Sequence, residues 1–306
     1  MNSDRYGLWA NDRLRLAVTG ECNIACFYCH NEGQPKTVRY LSDALFERLL
    51  QLAKVEPIGS VTFTGGEPLL HPALDSFIER LTPFSRGRTL VTNGLLLTPV
   101  LLDRLIASGL TKVRLGVDSL RRAKSRPTPG SPPQRPIRDI LDLILSRPVR
   151  CEINTVLTRF NEEEISEILE FCRSQRLSAK FFEHVEVDSA GMDGARGVMR
   201  QKPVIPFEAF CEAVARVFPH VPLIPSPGFG DANYELEADE ILIRYCRYLC
   251  PYHLCFITGT RFDSNGFVYT CMEKNGIFRV SATEPLAESI KTIQRAVHDG
   301  CHNTEV

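Results

Sequence analysis

No apolar run in the chain reaches the ~18 residues that a membrane-spanning helix needs. Residues 1–13 also lack the apolar core of a secretory signal. A cytoplasmic protein with no membrane partner is therefore expected. An excess of one charge is missing too: 36 Lys and Arg stand against 37 Asp and Glu, a formal net charge of −1. A global field for nucleic acid is absent, and nucleic acid is not expected as a partner. With 43% hydrophobic and 24% charged residues, the composition excludes a disordered or collagen-like chain. No internal repeat is visible, and 306 residues suit one large domain or two smaller ones.

Cysteine, by contrast, is abundant. There are 11, an odd number, in a chain without an export signal. A reducing compartment disfavours disulfides, so clustered cysteines read as metal or redox ligands. Cys22, Cys26 and Cys29 form one group, and Cys246, Cys250, Cys255 and Cys271 a second. Cys151, Cys172 and Cys211 sit among apolar or helical neighbours and read as core fillers.

Up to about residue 187, short apolar strand-like segments (14–19, 60–64, 89–92, 112–118, 152–157 and 179–184) alternate with helical ones. Helices are expected over 41–55, capped by Ser42, over 98–108, with Pro99 in the first turn, and over 161–176. A short helix is expected at 206–217. Strands joined by helical crossovers imply a parallel α/β sheet, with ligands at the carboxyl ends of the strands. Residues 121–138 interrupt the pattern with five prolines and six basic residues. A solvated loop and a lid over an anionic substrate both fit that stretch. A domain boundary is placed near 220, giving units of 1–220 and 221–306. A tail that short calls for a metal staple, and the second cysteine group lies within it.

The first group has the spacing C-x3-C-x2-C, directly after the first strand. Three thiolates can hold one face of a 4Fe–4S cubane and leave the fourth iron open to a ligand. Zinc is the competing reading, with His30 as a fourth donor. After the second strand comes Thr64-Gly65-Gly66-Glu67-Pro68. Its two glycines allow close backbone approach, and Glu67 with the turn's carbonyls can accept bonds from an ammonium.

The cysteine triplet, with Tyr28 before its third member, followed one strand later by Gly65-Gly66-Glu67-Pro68, resembles the radical S-adenosylmethionine (SAM) superfamily. Val91-Thr92-Asn93-Gly94, Val117-Asp118-Ser119-Leu120, Ile153-Asn154-Thr155-Val156 and Phe181-Phe182-Glu183 continue the likeness. The series is similar to the GTP cyclases of molybdenum-cofactor biosynthesis and their relatives, over about 12–187 and 246–273. The resemblance implies a (β/α)6 partial TIM barrel with a small C-terminal auxiliary-cluster domain of the twitch or SPASM kind. It implies a 4Fe–4S cluster on Cys22, Cys26 and Cys29, whose open iron binds SAM. Gly65, Gly66, Glu67 and Pro68 would hold the methionine amino end. Thr92 and Ser119 would meet the methionine carboxylate and ribose, and Tyr28 and Val185 the adenine. The implied partners are a small-molecule substrate and an external one-electron donor such as flavodoxin or ferredoxin.

In the second cysteine group, Asn265-Gly266 between apolar runs predicts a hairpin that returns Cys271 towards Cys255. Residues 261–271 resemble the auxiliary-cluster hairpin of the same cyclases. Four thiols on Cys246, Cys250, Cys255 and Cys271 favour a second, closed 4Fe–4S cluster, with structural zinc as the alternative. Arg15 and Arg261 match two of the cyclases' triphosphate-binding positions, and Asn154, in a matched motif, is a further substrate candidate. Ser60 and Glu152, however, stand where lysines are usual, and Gly259 replaces an arginine. Exchanging lysine for glutamate beside a triphosphate turns attraction into repulsion, so GTP cyclisation is not expected. The expected activity is reductive SAM cleavage and hydrogen abstraction from a small molecule such as a sugar, nucleoside or amino-acid-like metabolite. A peptide-modifying enzyme, GTP cyclase-like activity and a non-catalytic iron–sulfur carrier are the alternatives.

Overall fold

The computed structural model describes residues 8–29, 31, 40–121, 126–127, 135–184, 205–227, 230–247, 259–269, 279–281 and 285–302. Strand β1 (Arg13–Thr19) leads into the two-residue β2 (Ile24–Ala25). Helix α1 (Asp43–Val55) follows, started by the Ser42 hydroxyl, which accepts the Leu45 N–H at 3.3 Å. It buries Phe46, Leu49, Leu50 and Ala53, a stripe at helical spacing that also has Leu45 and Leu52 packed at its edges.

The strand–helix alternation then runs through β3 (Ile58–Gly65), α2 (Leu74–Leu81), β4 (Ser85–Thr92), α3 (Pro99–Ala107) and β5 (Lys112–Gly116). It continues through β6 (Arg126–Pro127), α4 (Ile137–Leu145), β7 (Arg150–Leu157), α5 (Ile165–Ser174) and β8 (Ser178–Glu183). Thr98 caps α3, accepting the Leu101 N–H at 3.1 Å, with Pro99 in the first turn as expected. Strands β1, β3, β4, β5, β7 and β8 are neighbours in that order and pair in parallel throughout. This is the α/β partial barrel that the motif order implied.

Strands β5, β7 and β8 are two-faced. On β5, Val113 and Leu115 are fully buried while Lys112 and Arg114 are half-buried. On β7, Ile153 and Leu157 alternate with Glu152 and Asn154, and on β8, Ala179 and Phe181 alternate with Lys180 and Phe182. The apolar face joins the helices in one continuous core. The opposite, inner face carries the polar and charged residues.

Helix α6 (Phe207–Val217) lies where the pattern placed it. Beyond it come β9 (Ile224–Ser226), β10 (Gly230–Ala238), β11 (Ile241–Cys246), β12 (Thr260–Phe262), β13 (Phe267–Tyr269), β14 (Arg279–Ser281) and α7 (Leu286–His302). Residues beyond 220 add to the barrel sheet itself. β11 pairs in parallel with β8, and β12 pairs in parallel with β1, so both edges of the six strands are extended. Among the described residues the sheet has 12 strands. The expected hairpin at Asn265-Gly266 joins β12 to β13, with Asp263 accepting the Asn265 and Phe267 N–H groups. Among the described residues no helix is long and apolar enough to cross a membrane.

Candidate active site

The cysteine loop leaves the carboxyl end of β1, and the glycine-rich turn leaves that of β3. Parallel pairing of these strands brings the two loops together. Two backbone bonds join them: Gly66 N–H to Thr19 O at 2.9 Å, and Glu67 N–H to Glu21 O at 2.8 Å. The contact leaves no room for side chains. A Cβ on Gly66 would lie 2.0 Å from Glu21 O, and one on Gly65, whose φ is +131°, would lie 2.2 Å from Thr19 O. The two glycines are thus required by the approach of the turn to the cysteine loop.

Cys22, Cys26 and Cys29 are half-buried thiols that form no disulfide. Burial pushes the Cys22 thiol up to about 12, and charge on Glu67, Cys26 and Cys29 adds to the shift. Cys22 is therefore within electrostatic reach of the other two sulfurs. Asn31 N–H donates to Cys29 Sγ at 3.3 Å. Among the described residues no three Cys, His, Asp or Glu side chains gather around one point as a single metal ion requires. In a cubane each thiol holds a different iron, so such convergence is not needed. Soft thiolates on one loop, beside a turn with no side chains at its glycines, fit an iron–sulfur cluster with a ligand on its open corner.

Glu67 is fully buried, and its carboxylate faces into the turn. It accepts the Leu69 N–H at 3.1 Å, the Thr92 hydroxyl at 2.7 Å and the Asn93 N–H at 2.8 Å. Pro68 is buried beside it and opens a short 3-10 turn. Glu67 and Thr92, both expected to meet a ligand, also bond to each other. Ser119, at the end of the β5 loop, donates to buried Glu164 at 2.7 Å. Tyr28 donates its hydroxyl to Asp118, and its ring packs edge-on against Phe27 and His184. Asp118 in turn accepts the Val156 N–H at 3.2 Å. This brace between the cysteine loop and the ends of β5 and β7 was not read from the sequence. The sequence signals were Tyr28 beside the third cysteine and Asp118 in the motif that follows a strand, and neither pairs the two. Val185 lies outside the described residues.

Below the strand ends the inner face is strongly cationic. Glu152 lies between Lys112 and Arg114, the latter at 2.7 Å. Burial opposes ionisation there, but Arg114 and Lys112 outweigh it and hold the Glu152 carboxyl down to about 2. Glu152 therefore cannot act as an uncompensated negative charge, and the repulsion inferred from its sequence position is corrected. Arg244 pairs with Glu235 at 2.7 Å. Lys180 forms no ion pair among the described residues, and burial, then Arg114, push its ammonium down to about 7. Arg13 opens to solvent at the start of β1. Partial burial, then the charges of Arg244 and Arg114, lower its pKa. In this group two carboxylates face five cations.

Arg15 and Arg261 are brought together at one register position of β1 and β12. Asn154 lies on β7, in register with Lys180. Cys246 ends β11 in register with Phe182, and burial raises its thiol pKa. Cys250, Cys255, Cys271 and His30 lie outside the described residues. Cys172 is fully buried, while Cys151 and Cys211 are partly so. Burial pushes the Cys151 and Cys172 thiols up to about 12, as inert core fillers require.

Comparison with known proteins agrees with this geometry. The model of the radical SAM superfamily matches residues 16–172. A GTP 3',8-cyclase of Chlorobaculum tepidum is 33% identical over 185 residues, which cover 59% of this chain and 56% of that protein. A GTP 3',8-cyclase of Aliarcobacter butzleri is 31% identical over 193 residues, covering 61% and 59% respectively. The chain thus matches little more than half the length of these relatives. In fold, Streptococcus suis SuiB bound to precursor peptide SuiA superposes with a TM-score of 0.64 at 16% identity, over 92% of this chain and 66% of that one. Native anSMEcpe with bound AdoMet and Cp18Cys peptide gives 0.65 at 15% identity, over 94% and 81%.

Proposed function

The chain belongs to the radical SAM superfamily, and from that premise we propose that it cleaves SAM reductively and removes a hydrogen atom from a small anionic substrate. Superfamily membership implies a 4Fe–4S cluster and SAM. Cys22, Cys26 and Cys29 are the residues that would hold the cluster, leaving one iron for the amino and carboxylate groups of SAM. When bound, the cluster supplies the electron that breaks the S–C5′ bond of SAM, giving methionine and a 5′-deoxyadenosyl radical. The observation that carries the reading is the backbone seam between the cysteine loop and Gly66 and Glu67.

Around that centre the chain binds and orients. The backbone carbonyls of the Gly65-Gly66 turn accept the methionine ammonium, while the Glu67 carboxylate fixes the turn. Thr92 and Ser119 line the carboxylate and ribose side, and Tyr28, braced by Asp118, lines the adenine side with Val185. A second 4Fe–4S cluster on Cys246, Cys250, Cys255 and Cys271 completes the reading. It rests on the count of four thiols and on Cys246 at the carboxyl end of β11. An external one-electron donor, such as flavodoxin or ferredoxin, would be the redox partner.

The cation excess around Lys180 supports a substrate bearing phosphate or carboxylate, with Arg15, Arg261 and Asn154 as further contacts. GTP is the second reading. It is favoured by the neutralisation of Glu152, which removes the electrostatic objection, and by likeness to GTP 3',8-cyclases at 31–33% identity. Peptide modification draws only on likeness of fold.

Anaerobically reconstituted, reduced protein is incubated with SAM and deuterated candidates, phosphorylated and not, GTP among them. The expected results are 5′-deoxyadenosine formed without substrate, its loss in Cys26→Ala, and deuterium transfer only from anionic candidates. Absence of 5′-deoxyadenosine from protein carrying a full cluster contradicts the activity. Transfer from uncharged candidates alone contradicts the substrate class.

A further inference from the structure

Asn93 follows Thr92 at the end of β4, and its side chain reaches back to the cysteine loop. The amide nitrogen Nδ2 donates to Asn23 Oδ1 at 2.7 Å and lies 4.0 Å from Cys22 Sγ. The rest of the residue is fixed independently. Its N–H donates to Glu67 Oε2 at 2.8 Å, and its Oδ1 accepts the Leu95 N–H at 3.0 Å. The orientation of the amide is thus set by its partners: Oδ1 is committed to Leu95, so the NH2 group points at Asn23 and the sulfur.

The chemistry at Cys22 changes when it becomes a ligand. As a thiol it can donate to Asn23 Oδ1, 3.8 Å away. As a thiolate it has no proton to give and becomes an acceptor. Asn23 Oδ1 would then face a negative sulfur across that gap. The Asn93 amide, already bonded to that oxygen, is the N–H group that also stands 4.0 Å from the sulfur. Hydrogen bonds to a cluster's thiolates favour its more negative, reduced state and so raise its potential.

We propose that Asn93 is a positioning residue that sets the reduction potential of the cluster on Cys22 through its side-chain N–H. The inference rests on the assignment of the cluster to Cys22, Cys26 and Cys29. Its role is distinct from SAM contact, because Asn93 acts on the protein-ligated corner, and it reads out without SAM or substrate.

The test is an anaerobic redox titration of the reconstituted protein, followed by the electron paramagnetic resonance of the reduced cluster, with iron counted per chain. The C-terminal cysteines are replaced by alanine so that one signal is followed. Asn93→Asp keeps the Oδ1 bond to Leu95 and removes the donor. Asn93→Ala removes the donor without adding charge. The proposal expects both variants to bind the same iron as the parent, with midpoints moved to more negative potential and a smaller reduced fraction at a fixed dithionite concentration. Unchanged midpoints in both overturn it. So does a shift confined to Asn93→Asp, which assigns the effect to the added charge. Loss of iron from both variants with unfolding intact also overturns it, because Asn93 then holds the loop and does not set the potential. A parent protein that binds no cluster is a different failure, that of the ligand assignment, and it removes this inference as well.

Discussion

The carboxylate of Glu67 accepts the hydroxyl of Thr92 at 2.7 Å, joining the loops that leave two neighbouring strands. Two further bonds, from Leu69 and Asn93 N–H groups, satisfy the same buried carboxylate. Glu67→Gln places an NH2 group against at least one of these donors. The expected loss is about 1–3 kcal/mol of stability. Thr92→Val, which removes only the hydroxyl, should lose less, about 0.5–1.5 kcal/mol. Denaturant unfolding measures both, and equilibrium dialysis of SAM against the reconstituted proteins should show weaker binding for both. Unchanged stability in Glu67→Gln would show that the carboxylate does not fix the turn.

Gly66 approaches the cysteine loop so closely that a methyl group has no space. Gly66→Ala must displace Glu21, and with it the start of the cysteine loop, by more than an ångström. The strain is on the order of 1–3 kcal/mol. Iron per chain after reconstitution is the sharper measurement, and it should fall well below that of the parent. Full iron content and unchanged unfolding would mean that the seam between the loops yields easily.

Much of the barrel was legible because its strands need only local pattern. Segments such as 14–19 and 152–157 carry apolar residues on the face that meets the helices. The first four residues of β4, Ser85-Arg86-Gly87-Arg88, escaped because no apolar residue marks them. Buried Arg88 fills a core position by donating to the carbonyls of Gly109 and Ser85. β10 escaped because Tyr234-Glu235-Leu236-Glu237-Ala238 follows a stretch rich in Pro and Gly, which read as irregular. In the site, the cysteine spacing and the paired glycines were visible. The bond from Glu67 to Thr92 depends on the juxtaposition of β3 and β4, and the Tyr28–Asp118 brace joins residues 90 positions apart. Sequence shows residue types, whereas register decides which of them meet. The meaning of Glu152 changed for the same reason: its two cationic partners sit on the adjacent strand.

Lys180 should resemble a residue kept for function at the cost of stability. Arg114, Arg244, Glu152 and Cys246 surround it, and its pKa falls from 10.5 in the unfolded chain to about 7 in the fold. The penalty is fully present below about 7. Stability rises with pH between about 7 and 10.5, and above 10.5 the penalty is gone. Lys180→Met should therefore stabilise the protein at pH 6 by about 1–3 kcal/mol, with the gain closing as pH rises. The same variant should bind an anionic substrate more weakly. Thermal unfolding from pH 6 to 10.5 checks the first expectation, and a variant less stable than the parent at pH 6 contradicts it.

Glu152 gives the opposite sign. Its pKa falls from 4.5 to about 2, so its contribution is fully present above 4.5 and is lost as pH falls through about 2. Glu152→Gln leaves Lys112 and Arg114 without their shared partner and should cost about 1–3 kcal/mol at pH 7. The gap between variant and parent should narrow from pH 4.5 to 2, as followed by circular dichroism. A gap independent of pH would show that the carboxylate contributes by packing and not by charge.

The central claim is that three thiols on one loop hold a cluster with a corner free for SAM. The direct measurement is the electron paramagnetic resonance spectrum of the reduced protein, with the C-terminal cysteines replaced, before and after SAM is added. The account predicts a 4Fe–4S signal that changes shape with SAM, and loss of the signal when Cys22, Cys26 or Cys29 is alanine. A signal that ignores SAM, or survives all three substitutions, would contradict it.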